Sequence, residues 1–396
     1  MIKQHCQKIL DQIPSHRLLA LDILRGLTIT AMILVNNPGS WSYMYWPLKH
    51  AQWHGLTPTD LIFPFFIFII GISITLSANS QLNKGIKKTE IVKAGVIRTL
   101  KLILLGWFLA LFYYNFRDPS FNWIEERFFD IRIMGVLQRI GLVYLITLCC
   151  FMYLKPRFLW VTFVGVLVSY TALMLYLPYK LPSGEVQQGL WLYGNNASAW
   201  LDNLLLGDNH VYFAKATPLP FDPEGILSTL PAIGTALSGV LFGLYLSAEK
   251  NLIKQLKTVC IVGICLITCS YIATSIIPIN KALWTPSYVL LSTGLAMLSY
   301  AFCSYVLDIR KIQLWSAPFI VFGINAILFF MFAGIIARLL LMITLKGSSL
   351  KSVIFTDALQ PLFGNYFGSF VFSLLFLVIS YIAMFSCYKR RVFWKV

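Results

Sequence analysis

A histidine in an aromatic loop is the residue of this chain best suited to chemistry. His50 lies within WPLKHAQWHGLTPTDLIFPFFIFIIG, residues 46–71, immediately before a fully apolar segment. An imidazole titrates near neutral pH, so it can remove a proton from an attacking group or accept an acyl group itself. The neighbouring tryptophans and tyrosines favour a loop that folds back on the protein and gives the imidazole a partly dry pocket. The alternative is an interfacial histidine with no chemical role.

Two polar residues near His50 have both a structural and a chemical interpretation. Asn36 begins the sequence Asn-Asn-Pro-Gly, which is ordinary helix termination. Its amide could also donate to a carbonyl oxygen that becomes an oxyanion, or orient the imidazole. Asp60 follows Pro58 at the start of the next apolar segment. It is most simply a first-turn residue favoured by the helix dipole, and a sugar contact is the other interpretation.

A metal site is the third possibility for this loop, because His54 follows His50 at i+4. A catalytic zinc ion takes three protein ligands, and only two histidines are present here. Gly55 and Pro58 also argue against a regular helix that would bring the two rings together. We therefore expect no metal.

The composition defines the elements that must position these residues. Hydrophobic residues make up 58% of the 396 residues and charged residues only 12%, which excludes an ordinary soluble protein. Apolar stretches long enough to cross a bilayer recur at 18–37, 59–80, 92–114, 133–154, 158–177, 225–247, 258–277, 284–306, 315–344 and 367–388. The sequence predicts an all-α polytopic membrane bundle of about ten helices, with no internal repeat.

The distribution of the 32 lysines and arginines predicts the orientation of the bundle. They are densest in the termini and in alternate connections, which indicates cytoplasmic N- and C-termini and an outward-facing His50 loop. Anchoring to anionic lipid then accounts for the net charge of +16. Nucleic-acid binding is not expected because no basic soluble domain is present. No cysteine falls in an outward loop, so no disulfide framework is expected either.

The segment 178–224 is the only large connection and is expected to face outward. It interleaves aromatic residues with Asp208, Asp222 and Glu224, which could supply stacking faces for a sugar and countercharges for its ammonium group. Trp53, in the His50 loop, and Asp60 are further candidate sugar contacts. The alternative is a folded cap whose aromatics lie in the interfacial belt.

Four cations lie within predicted helices: Arg25, Arg98, Lys101 and Arg139. Ionisable residues at membrane depth are candidates for function, although Asp22 could simply neutralise Arg25 three residues away. We expect all four in the cytoplasmic halves of early helices, where they would bind the phosphates of a large anionic cofactor. Lys395, in the basic C-terminal tail, is a fifth candidate.

The chain resembles the heparan-alpha-glucosaminide N-acetyltransferase family. The matching segments run in order over nearly the whole length: LALDILRG (19–26), KHAQWHGLTPTDLIFPFFIFIIG (49–71), GVLQRIG (135–141), LDNLLLGDNHVY (201–212), FDPEGIL (221–227), NKALWTPSYV (280–289) and RRVFWKV (390–396). The resemblance implies transfer of an acetyl group from cytosolic acetyl-CoA to an amino sugar on the far side of the membrane. It makes His50 the active-site residue, with Asn36 beside it. Because only about 17 residues precede the first match, the chain looks like a bacterial inner-membrane member.

We therefore expect residues 1–396 to form a single transmembrane acyltransferase domain. Acetyl-CoA is the expected co-substrate, without a metal, and an amino sugar the acceptor. Membrane lipid and a second copy of the chain are further partners to consider. Two other functions stay open: an amino-sugar permease, which should show repeated halves and broken helices, and an O-acyltransferase of a surface glycan.

Overall fold

The structure is a computed structural model that describes residues 2–11, 18–392 and 394. The helices are α1 Ile2–Leu10, α2 Leu19–Asn36, α3 Ile62–Asn83, α4 Lys88–Leu111, α5 Val136–Tyr153, α6 Pro156–Tyr176, α7 Ala197–Leu206, α8 Ile226–Ala248, α9 Leu252–Ala273, α10 Pro286–Ser304, α11 Ala317–Ile324, α12 Ala326–Met342, α13 Leu350–Val353, α14 Gln360–Phe363 and α15 Asn365–Lys389. Two short antiparallel hairpins pair β1 Tyr179–Lys180 with β2 Val186–Gln187 and β3 Thr344–Leu345 with β4 Ser348–Ser349. A 3₁₀ turn, Pro58–Leu61, leads into α3.

The predicted all-α membrane bundle is confirmed. Within the described residues, nine helices are long and apolar enough to span a bilayer, and a bent pair makes a tenth. Successive spans run in opposite directions, so the bundle has two ends. We call the end with the loop 37–57 the His50 end, and the end where α2 begins the Arg25 end.

The ninth predicted span, 315–344, is not one straight helix. It is broken between α11 and α12, which meet at an angle of 77°. Asn325 lies at the break with φ −116° and ψ 39°, and its amide donates to Val392 O (2.9 Å) and accepts from Trp394 N (3.2 Å). The side chain thus binds the tail that follows α15, at the point where helical hydrogen bonding stops. Hydropathy alone does not reveal such a break, because both halves are apolar.

The most buried span, α8, packs closely against α3. A Cβ on Gly71 would lie 2.0 Å from Ala236 O, and one on Gly239 would lie 2.1 Å from Phe68 O. The two glycines therefore allow the backbones to approach, as small residues do between membrane helices. This contact fixes α3, and with it the turn that carries Asp60, against the centre of the bundle.

Candidate active site

A cavity of about 320 Å³ opens at the His50 end of the bundle. Its walls come from the end of α2, the loop 37–57, the start of α5 and the loops that precede α8 and α10. The ionisable or amide side chains that line it are those of Asn36, His50, Gln52, Asp60, Arg132, Glu224 and Lys281. Trp53, Tyr193, Tyr212 and Phe213 add aromatic surface. We call this space the His50 cavity.

His50 is oriented by a buried carboxylate. Its Nδ1 lies 2.7 Å from Oδ1 of Asp60, whose side chain is 1% exposed. The other oxygen, Oδ2, accepts from Ala51 N (3.1 Å), Thr57 N (2.9 Å) and Thr57 Oγ1 (2.9 Å). An acceptor-only carboxylate at Nδ1 makes that nitrogen the proton donor and leaves Nε2 as the basic nitrogen. His50 can therefore act as a base or nucleophile through Nε2.

The interpretation of Asp60 as a sugar contact stays a prediction, whereas its structural role is clear from its hydrogen bonds. Both of its oxygens are engaged within the protein, and the first-turn role is real, since Thr57 and Asp60 form a capping box. The same carboxylate caps the turn that leads into α3 and accepts from the imidazole of His50. This pairing could not be predicted from the sequence, because a separation of ten residues across a loop has no fixed geometry.

Lys281 is a second residue that the sequence analysis did not place in the site. It lies in the connection between α9 and α10, and its Nζ is 3.2 Å from each ring nitrogen of His50. The adjacent Asn280 is fully buried and donates to Trp53 O at 2.9 Å, which ties this connection to the His50 loop. A lysine counted only as a loop charge in the topology was in fact part of the site.

The predicted acidic sugar contacts separate into different positions. Glu224 lines the His50 cavity, whereas Asp222 lies behind it and Asp208 pairs with Asn203 outside the cavity. Arg132 donates to both oxygens of Asp222 (2.7 and 2.6 Å) and also to Glu224. Asp222 therefore positions Arg132, and Glu224 is the acid that faces the cavity.

Glu224 is held in its ionised form although it is buried. Burial acts to raise the pKa of this carboxyl, but Arg132, Arg139 and Lys281 act together to lower it, and the pKa lies below its ordinary value. A carboxylate in a pocket with aromatic walls is suited to an ammonium group. Trp53 also lines the cavity as predicted, fixed by its Nε1 donating to Trp191 O at 2.7 Å.

Arg139 was placed at the wrong end by the sequence analysis. It lies in the first turns of α5, at the His50 end, where it donates to Gly225 O (3.0 Å) and to Ser228 Oγ. Its side chain is fully buried, with Cζ 5.2 Å from the Trp284 ring. Because α5 runs from the His50 end to the Arg25 end, an arginine near its start cannot join cations near the start of α2.

A second cavity, of about 420 Å³, lies at the Arg25 end. Arg25 and Arg98 line it together with Ser73, Ser77, Gln81, Tyr144 and Trp394. Arg98 lies over the Tyr144 ring at 4.6 Å, and its buried Nε has no hydrogen-bond partner. Arg25 is within 3.4 Å of both Asp22 and Ser73. We call this space the arginine cavity.

The other two predicted phosphate ligands do not belong to the described wall of this cavity. Lys101 lies three residues after Arg98 on α4, is exposed and does not line the cavity. Lys395 lies outside the described residues, although its neighbour Trp394 lines the arginine cavity. The structure thus brings together two of the five cations, Arg25 and Arg98.

A narrow apolar throat of about 30 Å³ lies between the two cavities. It shares Phe66, Ala326 and Ile327 with the arginine cavity, and Met32, Phe63, Val136 and Phe330 with the His50 cavity. Every residue that lines it is apolar. The two charged cavities are therefore in line across the bundle, separated only by hydrocarbon side chains.

Sequence comparison identifies the family. Residues 17–270 match the family model described as heparan-alpha-glucosaminide N-acetyltransferase, catalytic. This match covers more than half of the chain. The chain belongs to this family.

Two relatives carry the name heparan-alpha-glucosaminide N-acetyltransferase. The protein from Mus musculus is 32% identical over 357 residues, which cover 79% of this chain and 53% of the mouse protein. The protein from Homo sapiens is 29% identical over 424 residues, which cover 96% of this chain and 60% of the human protein. The chain thus spans little more than half the length of these relatives.

The region that matches the heparan-alpha-glucosaminide N-acetyltransferase family includes most of the charged residues that line the two cavities. His50, Asp60, Arg98 and Glu224 all fall within residues 17–270, as does Arg25. The region matched by the family model ends before α10, so Lys281 and the bent pair α11–α12 lie beyond it. The resemblance seen in the sequence is confirmed at the level of the family.

Proposed function

We propose that this protein is a transmembrane N-acetyltransferase that moves the acetyl group of acetyl-CoA to the amine of a glucosamine-type sugar. The observation that carries the proposal is the line of three spaces across the bundle. A basic cavity lies at one end, a cavity with an oriented histidine at the other, and an apolar throat joins them. Acetyl-CoA has the matching order of parts: phosphates, a slender pantetheine arm and a reactive thioester.

Each part of acetyl-CoA meets side chains of suitable chemistry in this arrangement. Arg25 and Arg98 line the arginine cavity and offer charge-assisted hydrogen bonds to phosphate. The pantetheine arm would lie in the throat after its walls separate, which flexible side chains such as Met32 allow. The thioester would then reach the His50 cavity.

The acceptor amine would be bound and activated in the His50 cavity. Glu224, whose Oε2 accepts from Arg132, can accept from the amine through its other carboxylate oxygen, and Trp53 offers a face to the sugar. Nε2 of His50 either removes a proton from the amine or attacks the thioester first and carries the acetyl group. In both cases the thiolate of CoA leaves, and Asp60 stabilises the imidazolium that forms during the reaction.

The proposed sidedness of the reaction is supported by the Lys and Arg distribution. We place the Arg25 end and both termini in the cytoplasm, and the His50 end with segment 178–224 on the opposite side. The basic tail and the arginine cavity then meet the compartment that contains CoA. A bacterial inner membrane is the proposed location.

The proposal is tested with purified protein and defined substrates. Addition of glucosamine to protein and acetyl-CoA should release free CoA thiol in step with N-acetylglucosamine. A boiled sample and a reaction without glucosamine are the controls. Absence of amine-dependent CoA release by a folded protein would refute the function proposed here.

Two other functions remain testable with the same preparation. The break between α11 and α12 is a feature of transporters, but the throat is lined only by apolar side chains, which offer the hydroxyl groups of a sugar no hydrogen-bond partner. Uptake of glucosamine into vesicles without any CoA binding would favour a permease. Acetylation of N-acetylglucosamine, which offers only hydroxyl groups, in preference to glucosamine would favour an O-acyltransferase.

Arg98 and Lys101 provide a matched test of the CoA site. Both are cations on α4 and lie three residues apart, but only Arg98 lines the arginine cavity. Arg98→Gln should weaken CoA binding by about tenfold or more, because a charge-assisted contact to phosphate contributes about 1.5 to 3 kcal/mol. Lys101→Gln should leave the affinity unchanged. Calorimetry with CoA measures both, and an equal effect of the two substitutions would contradict this placement of the phosphates.

A further inference from the structure

The contact between Lys281 and His50 has an unusual geometry. Lys281 Nζ is 3.2 Å from Nδ1 and 3.2 Å from Nε2 of the same ring. Equal distances put the ammonium beside the ring rather than in line with one lone pair. In addition, Nδ1 already donates to Asp60 and cannot accept from the lysine. Nε2 can accept from at most one of the three N–H groups of Lys281, so the others are not committed to the imidazole.

The backbone around Lys281 is rigidly placed. Asn280 and Thr285 are fully buried, and Thr285 N donates to Asn280 O at 3.1 Å across the turn. Asn280 Oδ1 also accepts from Leu283 N at 2.9 Å. The turn is anchored to the His50 loop by Gly55 N, which donates to Ile279 O at 2.9 Å. The fold thus brings the ammonium to the imidazole from a separate part of the chain.

Two carboxylates lie near Lys281, and both are engaged with other residues. Burial lowers the pKa of Lys281 below its ordinary value, while Glu224 and Asp60 act in the opposite direction. Asp60 is engaged with His50 and its own turn, and Glu224 is engaged with Arg132. Neither carboxylate makes a direct ion pair with Lys281 among the described contacts. Its charge is therefore available to a substrate in the cavity.

We propose that Lys281 is a catalytic residue that stabilises the oxyanion formed when the thioester of acetyl-CoA is attacked. This inference rests on the proposed acetyltransferase function. Whichever group attacks, the carbonyl carbon must come close to Nε2 of His50. The carbonyl oxygen then lies within reach of Nζ, which is itself 3.2 Å from Nε2. A preorganised cation at the place where negative charge develops lowers the barrier strongly.

The chemical step balances with the groups present. The amine nitrogen forms a bond to the carbonyl carbon, the π electrons move to oxygen, and Lys281 donates a hydrogen bond to that oxyanion. His50 takes the amine proton at Nε2. When the carbonyl re-forms, the carbon–sulfur bond breaks and the CoA thiolate leaves, and the proton on His50 passes to it. If His50 attacks first, the same oxyanion forms and Lys281 has the same role in each half-reaction.

The test compares Lys281→Met with Lys281→Arg and with Lys215→Met, an exposed lysine of segment 178–224. Removal of an oxyanion donor should lower kcat by about 10²- to 10³-fold, with the KM for glucosamine changed less than about threefold. Lys281→Arg should be at least about tenfold faster than Lys281→Met because it retains a cationic donor. Lys215→Met should match the wild type. Affinity for S-acetonyl-CoA, which cannot transfer its acyl group, should be unchanged in all variants.

Several outcomes would overturn the assignment. These are a kcat of folded Lys281→Met within about threefold of the wild type, an effect confined to KM, or an acetyl group on Lys281 itself by mass spectrometry during turnover. If Lys281→Met does not fold, Lys281→Gln is judged by the same limits. If the wild type shows no amine-dependent CoA release, the proposed function fails. If the wild type is active and Lys281→Met is equally fast, only the role of Lys281 is refuted.

Discussion

Replacement of His50 by alanine is expected to abolish acetyl transfer while the protein stays folded and still binds CoA. Loss of a positioned acid–base group lowers kcat by about 10²- to 10⁴-fold, and loss of an acyl-accepting nucleophile would lower it at least as much. CoA affinity should persist, because Arg25 and Arg98 line a separate cavity. Steady-state rates with glucosamine and calorimetry with CoA measure the two effects independently.

His54→Ala is the matched control for His50→Ala. His54 lies near Asn280 (3.4 Å) and does not line the His50 cavity. Its replacement should change kcat by less than about threefold. Retention of more than a tenth of wild-type turnover by folded His50→Ala would show that the reaction does not depend on this imidazole.

Blocking the apolar throat is the second change expected to have a large effect on turnover. Val136 lines the throat and the His50 cavity but not the arginine cavity. Val136→Trp should fill the throat, whose free volume is only about 30 Å³, and so prevent the pantetheine arm from reaching His50. We expect turnover to fall by at least as much as in His50→Ala, with CoA still held by its phosphates and its affinity reduced only by the lost arm contacts.

Two variants separate blockage from damage to the fold. Val136→Ala enlarges the throat and should retain turnover. Val161→Trp makes the same substitution on the exposed face of α6, where the side chain is 65% exposed, and should behave like the wild type. Normal turnover by Val136→Trp with a correct fold would mean that acetyl-CoA does not cross the bundle through this throat.

The membrane architecture could be predicted from the sequence because each span is a local property. A run of apolar residues long enough to cross a bilayer forms a helix wherever it lies, since backbone groups in lipid must bond within the segment. Nine of the ten predicted spans appear with ends shifted by a few residues. The remaining one, 315–344, is broken at Asn325, whose amide bonds to the tail more than sixty residues later.

The site could be predicted only in part. His50 was identified from its loop, and Asn36, Trp53 and Glu224 all line the His50 cavity. Arg25 and Arg98 do share a cavity, as expected from charges at similar depth. Whether any of these side chains binds substrate stays a prediction.

The sequence by itself determined the fold class, the family and the residue with the most suitable chemistry, because these depend on residue type and local pattern. The tertiary structure decided which groups act on that residue. Asp60 orients His50 across a ten-residue loop, Lys281 approaches it from 231 positions away, and Arg139 lies at the opposite end from its expected partners. Such contacts depend on the direction of each helix and on loop conformations that side-chain hydrogen bonds fix. Neither can be read from the spacing of residues along the chain.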